Sequence, residues 1–243
     1  MGSIEAGEHR LESIAQNIGR IREQITHYTN GRDVDLILAA KHQPLPRLVE
    51  AYRAGGTLMG HNLVDQLAEA TAGLHAQKIR PFTSVIGHVQ SNKLSAAMRW
   101  ADRIDTVDSF KTAQRIDRRQ EARVASGEAS GPYPMLLQLN SSGAATQFGC
   151  HPEDFVELAR TVSALPFVRI AGVMTIGARG TEADIRSSFV LTRRLAEEIR
   201  NLPGLDDAGV LSMGMSNDMR IAIEEGSTVV RVGTAIFGTR PAQ

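Results

Sequence analysis

At 243 residues the chain is long enough for a large core and has the usual size of one α/β barrel. Its 27 basic and 27 acidic residues balance, which excludes the charge excess of a nucleic-acid or membrane-surface binder. A single cysteine, Cys150, excludes an intramolecular disulfide and fits a reducing cytoplasm, and no apolar run approaches the roughly 20 residues of a membrane helix. The polar, mixed-charge N-terminus is no signal peptide, so a cytoplasmic location is expected. Cys150 itself is either a reactive thiol or a small buried residue.

Ile4, Leu11, Ile14, Ile18, Ile21, Ile25 and Tyr28 recur, after the first gap, at steps of three and four. They predict an amphipathic helix over 4–28 that Gly31 ends. The run Leu36-Ile37-Leu38-Ala39-Ala40-Lys41 follows and reads as a buried parallel strand, because it does not alternate. Pro44 and Pro46 stop it and pre-set the first turn of a helix over 45–54, closed by Gly55-Gly56. Thr57 to Gly60 is a short strand, and Leu63, Leu67, Ala70 and Leu74 form the stripe of the next helix.

The alternation continues with strands at 82–86 and 103–107 and helices at 91–99 and 110–124. Residues 126–134 make a Gly/Ser/Pro-rich surface loop, an excursion rather than a domain linker. Strands at 135–140 and 168–176 and helices at 152–162 and 181–200 come next, the last opening on a capping box of Thr181 with Asp184. A strand at 210–213, a helix at 216–225 and a strand at 229–232 complete the pattern. Eight βα units in one chain predict a single closed (β/α)8 TIM barrel, with the N-terminal helix outside it. An open doubly wound sheet is the alternative, and no Gly-x-Gly-x-x-Gly turn supports it.

Such barrels carry their chemistry at the carboxyl ends of the strands, and phosphate often sits after strands seven and eight. Lys41 is expected at the first strand end, partly desolvated, with an amine free for a Schiff base. From this stretch alone the plainer reading is that Lys41 is the first solvated position after a strand. Strand seven ends in Leu211-Ser212-Met213-Gly214-Met215-Ser216, where Ser216 is placed to cap the next helix. Strand eight ends in Arg231-Val232-Gly233-Thr234. Two glycine turns with hydroxyls and a strand-end lysine suggest pyridoxal 5'-phosphate, although both glycines also suit plain tight turns.

The run from Leu211 to Met219, the run from Ala222 to Gly238, Ile86-Gly87-His88-Val89-Gln90-Ser91-Asn92-Lys93 and Gly172-Val173-Met174-Thr175-Ile176 together carry a resemblance. Over nearly its whole length the chain resembles the pyridoxal-phosphate homeostasis protein family, single-domain relatives of the alanine racemase N-terminal barrel. The resemblance implies that Lys41 holds the cofactor as a Schiff base and that Asn62 and Met174 lie beside it. It implies that Ser212 and Ser216, with the backbone of Gly233 and the hydroxyl of Thr234, hold the phosphate, and that Met213 and Gly214 are also among the cofactor-binding residues. Arg231 would face the pyridine nitrogen; without the resemblance it reads as a strand-end salt-bridge residue.

The chain departs from the family pattern in four places. Gly60-His61-Asn62-Leu63 stands for Gly-Glu-Asn-Tyr, and Thr83-Ser84-Val85 for Trp-His-Phe. Gln147 stands for a common lysine, and His42 for a common threonine after the Schiff-base lysine. All four are expected at the pocket rim, as drift or as the mark of a member with its own substrate.

The function implied is to bind, buffer and hand over the cofactor in vitamin B6 balance, with cofactor-requiring apo-enzymes as partners. The chain is expected to be a monomer or weak homodimer. The alternative is a pyridoxal-phosphate enzyme acting on an amino acid, with His42 or His61 moving protons. Efficient racemisation is not expected. Gln243 follows closely on the eighth strand, so the second domain that brings alanine racemases their tyrosine base is expected to be missing, Leu63 replaces the family's own tyrosine, and His61 is expected to face solvent.

Overall fold

The computed structural model describes residues 13–238. Helix α1 spans Ile14–Thr29, later than the expected start; Ile4 and Leu11 lie outside the described residues. Its start is set by a capping box, in which Ser13 Oγ accepts from Gln16 N–H and Gln16 Oε1 accepts from Ser13 N–H. Asn30, at φ 49°, closes the other end in the left-handed region.

Eight parallel strands follow: β1 Asp35–Ala39, β2 Leu58–His61, β3 Phe82–Val85, β4 Arg103–Val107, β5 Tyr133–Leu139, β6 Val168–Thr175, β7 Val210–Ser212 and β8 Val229–Val232. They close in chain order into one barrel. Between them run α2 Leu45–Arg53, α3 Val64–Ala76, α4 Leu94–Trp100, α5 Phe110–Ala125, α6 Phe155–Ser163, α7 Glu182–Arg200 and α8 Met219–Glu224, with α9 Thr234–Phe237 after β8. The expected (β/α)8 barrel with an extra N-terminal helix is therefore the observed fold. β5 starts two residues before the expected Met135 because Tyr133 and Pro134 pair with Val168 and Arg169 of β6. Pairing with β4 begins only at Met135, so the missing N–H of Pro134 falls outside that ladder.

Alternation along each strand sorts side chains between the barrel axis and the helix layer. Leu38, Met59, Val230 and Val232 point outward into a core with Leu48 and with Ile14, Ile18, Ile21 and Ile25 of α1. Each of those isoleucines gains roughly 1.5–3 kcal/mol on burial, which holds α1 against the barrel wall. A larger core joins β4, β5 and β6 to α4–α7 around Phe155 and Phe189. The axial side holds Ile37, Gly60 and Ile86: a Cβ on Gly60 would lie 2.8 Å from both neighbours.

Two features position the last strands. Gly172 sits at φ +152° where β5 and β6 shift register, and a Cβ there would lie 1.9 Å from the Val210 carbonyl oxygen. Only glycine fits so close a crossing. The three-residue β7 meets β8 at one register pair, Ser212 with Val229. Side chains reinforce this short seam: Ser227 Oγ lies 2.8 Å from the Met213 oxygen, and Leu211 N–H donates to Thr228 Oγ1 at 2.8 Å.

Candidate cofactor site at the carboxyl end of the barrel

Ala40 N–H still donates to the Gly60 carbonyl at 2.8 Å, so the ladder runs one residue past β1 before the chain turns at Lys41 and His42. His42 takes φ 57°, and Gln43 N–H closes the turn on the Ala40 carbonyl at 3.2 Å. Gln66 of α3 holds the turn from outside: its Oε1 accepts from His42 N–H at 3.1 Å and its Nε2 meets His42 Nδ1. Pro44 then caps α2, as the two prolines predict. Lys41 thus stands on a pinned turn at the barrel mouth. Its side chain is exposed, not partly desolvated as expected, because the turn lifts it clear of the strand.

Two strands round the barrel from β1, Gly214 at φ +96° lets the chain leave β7 tightly: a Cβ there would lie 2.5 Å from Ala222 Cβ. Met215 N–H donates to Asp218 Oδ1 at 2.5 Å, which forms a turn over 215–218 and delays α8 to Met219. Ser216 is therefore not the cap of that helix, as the sequence suggested, but an exposed hydroxyl on the preceding turn. Burial raises the Asp218 carboxyl above its ordinary pKa, against the pull of Met215 N–H and Arg231. Thr234, exposed, follows Gly233, whose missing side chain admits Ala39: a Cβ on Gly233 would lie 3.2 Å from Ala39 Cβ.

Arg231 lies beneath these turns, 5% exposed. Its Nη1 donates to Ser212 Oγ at 2.7 Å and to the Ser212 carbonyl at 2.8 Å, and its Nη2 donates to the Thr175 carbonyl at 2.7 Å. Burial lowers its pKa from the usual guanidinium value, while Asp105 and Asp218 pull the other way. The Nε–H and one Nη2 hydrogen have no bond among the described residues. Fully buried Met174 packs with Leu136 and Ala171. Asn62 is half-buried at the mouth, its backbone so close to Gly87 that a Cβ there would lie 2.3 Å from the Asn62 carbonyl oxygen. Inside the barrel, Ser84 Oγ and Gln138 Oε1 are buried without partners among the described residues. Ser84 pairs with axial Gly60, and Gln138 with Met174.

Not every candidate reaches this mouth. Met213 sits in the helix-side core, its N–H and carbonyl taken by Val229 and Ser227. His61 shares the outward parity of Met59 and is 1% exposed, so it is neither on the rim nor facing solvent. Both ring nitrogens lack partners among the described residues, and burial lowers the pKa to about 4. Thr83 is also not at the rim: it lies at the amino end of the barrel and bonds the Trp100 carbonyl and Asp102. Ser84 is fully buried inside, whereas Leu63 (48% exposed) and Gln147, which donates to the Ile176 carbonyl at 2.6 Å, do lie on mouth loops. Burial, then Asp154 and Asp108, push the Cys150 thiol up to about 11, so it is protonated at neutral pH and not a reactive thiolate. Among the described residues no cluster could hold a metal ion, and no helix is long and apolar enough to cross a membrane. The residues missed by the sequence reading, Gln66, Asp105 and Gln138, act through register and across elements, and no local motif marks them.

The buried neutral His61 carries a pH prediction. Its folded pKa of about 4 lies below the ordinary 6.5, so the unfolded chain takes up a proton that the folded one refuses. That stability is complete above pH 6.5 and is lost as pH falls toward 4. The loss is about 3 kcal/mol, from the 1.36 kcal/mol per pKa unit. Urea unfolding at neutral and acid pH is expected to show a smaller acid loss in His61→Leu than in the parent. Equal losses in the two would contradict it.

A closed parallel barrel that collects a lysine after β1 and small-residue turns after β7 and β8 is the class of the alanine racemase N-terminal domain, whose family model matches residues 10–241. Solved alanine racemases show the same fold: that of Corynebacterium glutamicum superposes with a TM-score of 0.71 at 16% identity, over 94% of this chain and 61% of that one. Within this class the chain belongs to the pyridoxal phosphate homeostasis protein family. It is 35% identical to the member from Vibrio alginolyticus, over 95% of this chain and 99% of the relative, and 36% identical to that from Pseudomonas aeruginosa, over 95% and 97%. PipY of Synechococcus elongatus, solved with pyridoxal phosphate bound, superposes with a TM-score of 0.81 at 32% identity, covering 93% of this chain and all of that one.

Proposed function

We propose that this protein binds pyridoxal 5'-phosphate, holds it as a Schiff base on Lys41 and serves as a carrier and buffer of the cofactor. The observation that carries the reading is the exposed Lys41 on a turn pinned by Gln66, at the same end of the barrel as the Gly233 and Gly214 turns that leave the neighbouring strands β8 and β7. The residues fit the group: hydroxyls at Ser216 and Thr234 suit a phosphate, and the unpartnered Ser84 and Gln138 atoms suit polar substituents or water below it. When bound, the cofactor supplies an aldehyde that condenses with an amine and a ring that withdraws electrons. Arg231 is the residue that would meet the ring nitrogen; a guanidinium only donates, so it would leave that nitrogen unprotonated and weaken electron withdrawal. Exposure of Lys41 suits release to an incoming amine of an apo-enzyme or a free amino acid.

The relatives are named for homeostasis rather than for a reaction, and the base set at the mouth agrees with a carrier. Tyr133 is buried at the start of β5 with its hydroxyl donating to the Ala101 carbonyl at 2.8 Å, while Tyr28 and Tyr52 lie on α1 and α2. His61 is turned away from the mouth. His42, held by Gln66, is the one candidate proton-transfer histidine of the sequence reading that stands there.

Ser216→Ala tests the phosphate assignment. Ser216 caps no helix, so folding stability is expected to stay within about 0.5 kcal/mol. Loss of one charge-assisted bond is expected to weaken cofactor binding about tenfold in a spectral titration. Unchanged affinity would remove Ser216 from the site, and a matching drop in melting temperature would make its role structural.

A further inference from the structure

At the opposite, amino-terminal end of the barrel a cavity of about 580 Å3 opens between the end of α3, the end of α4, α5 and the starts of β3 and β5. That volume suits a small-molecule ligand. Arg80, Arg99 and Arg123 line it with His75, Thr71 and Trp100, and Asp102 is the only carboxylate on it among the described residues. Asp102 is already engaged, its Oδ2 accepting from Thr83 N–H at 2.7 Å and from Thr83 Oγ1 at 3.0 Å. Arg123 is also engaged, with Glu128 at 3.2 Å and the Met98 carbonyl at 2.9 Å. Arg80 and Arg99 have no carboxylate partner among the described residues. Thr71 is 2% exposed, and its hydroxyl is buried without a partner.

Trp100 forms the flat part of the lining. The Arg99 guanidinium lies 5.6 Å from its ring centre, and the His75 ring lies 6.4 Å away. Burial, and after it the Arg80 charge, hold His75 below its ordinary pKa, so the ring is neutral and able to accept as well as donate. Arg80 donates to the Ile79 carbonyl at 3.5 Å and Arg99 lies over Trp100, but neither guanidinium is paired with a carboxylate among the described residues. The two match a dianion such as a phosphate monoester, which they would grip with charge-assisted bonds. The indole and imidazole offer stacking to a planar ring.

We propose that this amino-terminal cavity is a second ligand site, separate from the barrel mouth, for a phosphorylated compound carrying a flat heteroaromatic ring. Arg80 and Arg99 hold the phosphate, and Trp100 with His75 receives the ring. The site stands whether or not Lys41 carries a cofactor.

Adenosine monophosphate, adenosine and inorganic phosphate serve as probes. Binding is measured by equilibrium dialysis, and the only tryptophan of the chain, Trp100, reports its position by fluorescence. The monophosphate is expected to bind saturably and to change Trp100 fluorescence, with adenosine and phosphate each binding at least about tenfold more weakly. Arg80→Ala and Arg99→Ala remove exposed side chains, so the fold is expected to stay intact while each weakens the monophosphate about tenfold. Absence of saturable binding to millimolar concentration overturns the proposal. So does binding that both variants retain in full, or binding of inorganic phosphate as tight as that of the nucleotide.

Discussion

Lys41→Ala is expected to abolish the visible Schiff-base band of the cofactor-loaded protein while leaving the fold intact. The chain has four lysines, Lys41, Lys78, Lys93 and Lys111. Lys93 is held by Asp65 at 2.7 Å, and Lys78 lies at the end of α3 away from the mouth. Only Lys41 combines exposure with the pinned turn after β1. Removing an exposed side chain changes stability by no more than about 0.5 kcal/mol. Without the covalent link the cofactor would keep only non-covalent contacts, those of the Gly214 and Gly233 turns and of Arg231 among them, so it is expected to bind weakly and to wash out on gel filtration. A variant that keeps a reducible band at full amplitude would show that another amine carries it.

Arg231→Met is expected to be the most destabilising single change near the site. It leaves the Ser212 and Thr175 carbonyls without their buried donor and takes a balancing charge from Asp218, while Asp105 keeps its own partner Arg103 at 2.5 Å. Stripping one partner from such a buried charged set costs about 3–5 kcal/mol. For a chain of this size that is a fall of about 10 °C in melting temperature. Arg231→Lys is expected to recover little, because one ammonium cannot span β6 and β7 as the forked guanidinium does. A melting point within a degree or two of the parent would mean that water replaces the guanidinium without loss.

The barrel was readable because each strand is a short apolar run closed by small or polar residues, and each helix repeats at steps of three and four. Lys41, Gly214 and Gly233 were readable for the same reason, since strand ends and turns are local. What misled was register and competition between neighbours. Ser216 and Asp218 both suit a helix start, and the Met215 N–H bond to Asp218 decides for the later one. His61 looked like a rim residue, but alternation within β2 turns it outward, where the helix layer buries it. Thr83 looked like a pocket residue, yet its place as the second residue of β3 puts it at the far end. The start of α1 was in fact legible in Ser13 and Gln16, a capping box that outweighs the isolated apolar residues before it.

Borohydride reduction of the cofactor-loaded protein, followed by digestion and peptide mass spectrometry, locates the amine that carries the cofactor. Reduction turns the Schiff base into a stable secondary amine and freezes the cofactor on the lysine that held it. The expected result is one modified peptide, carrying the adduct on Lys41. An adduct on Lys93 or Lys111 instead, or no adduct on a protein that has bound cofactor, would contradict the account.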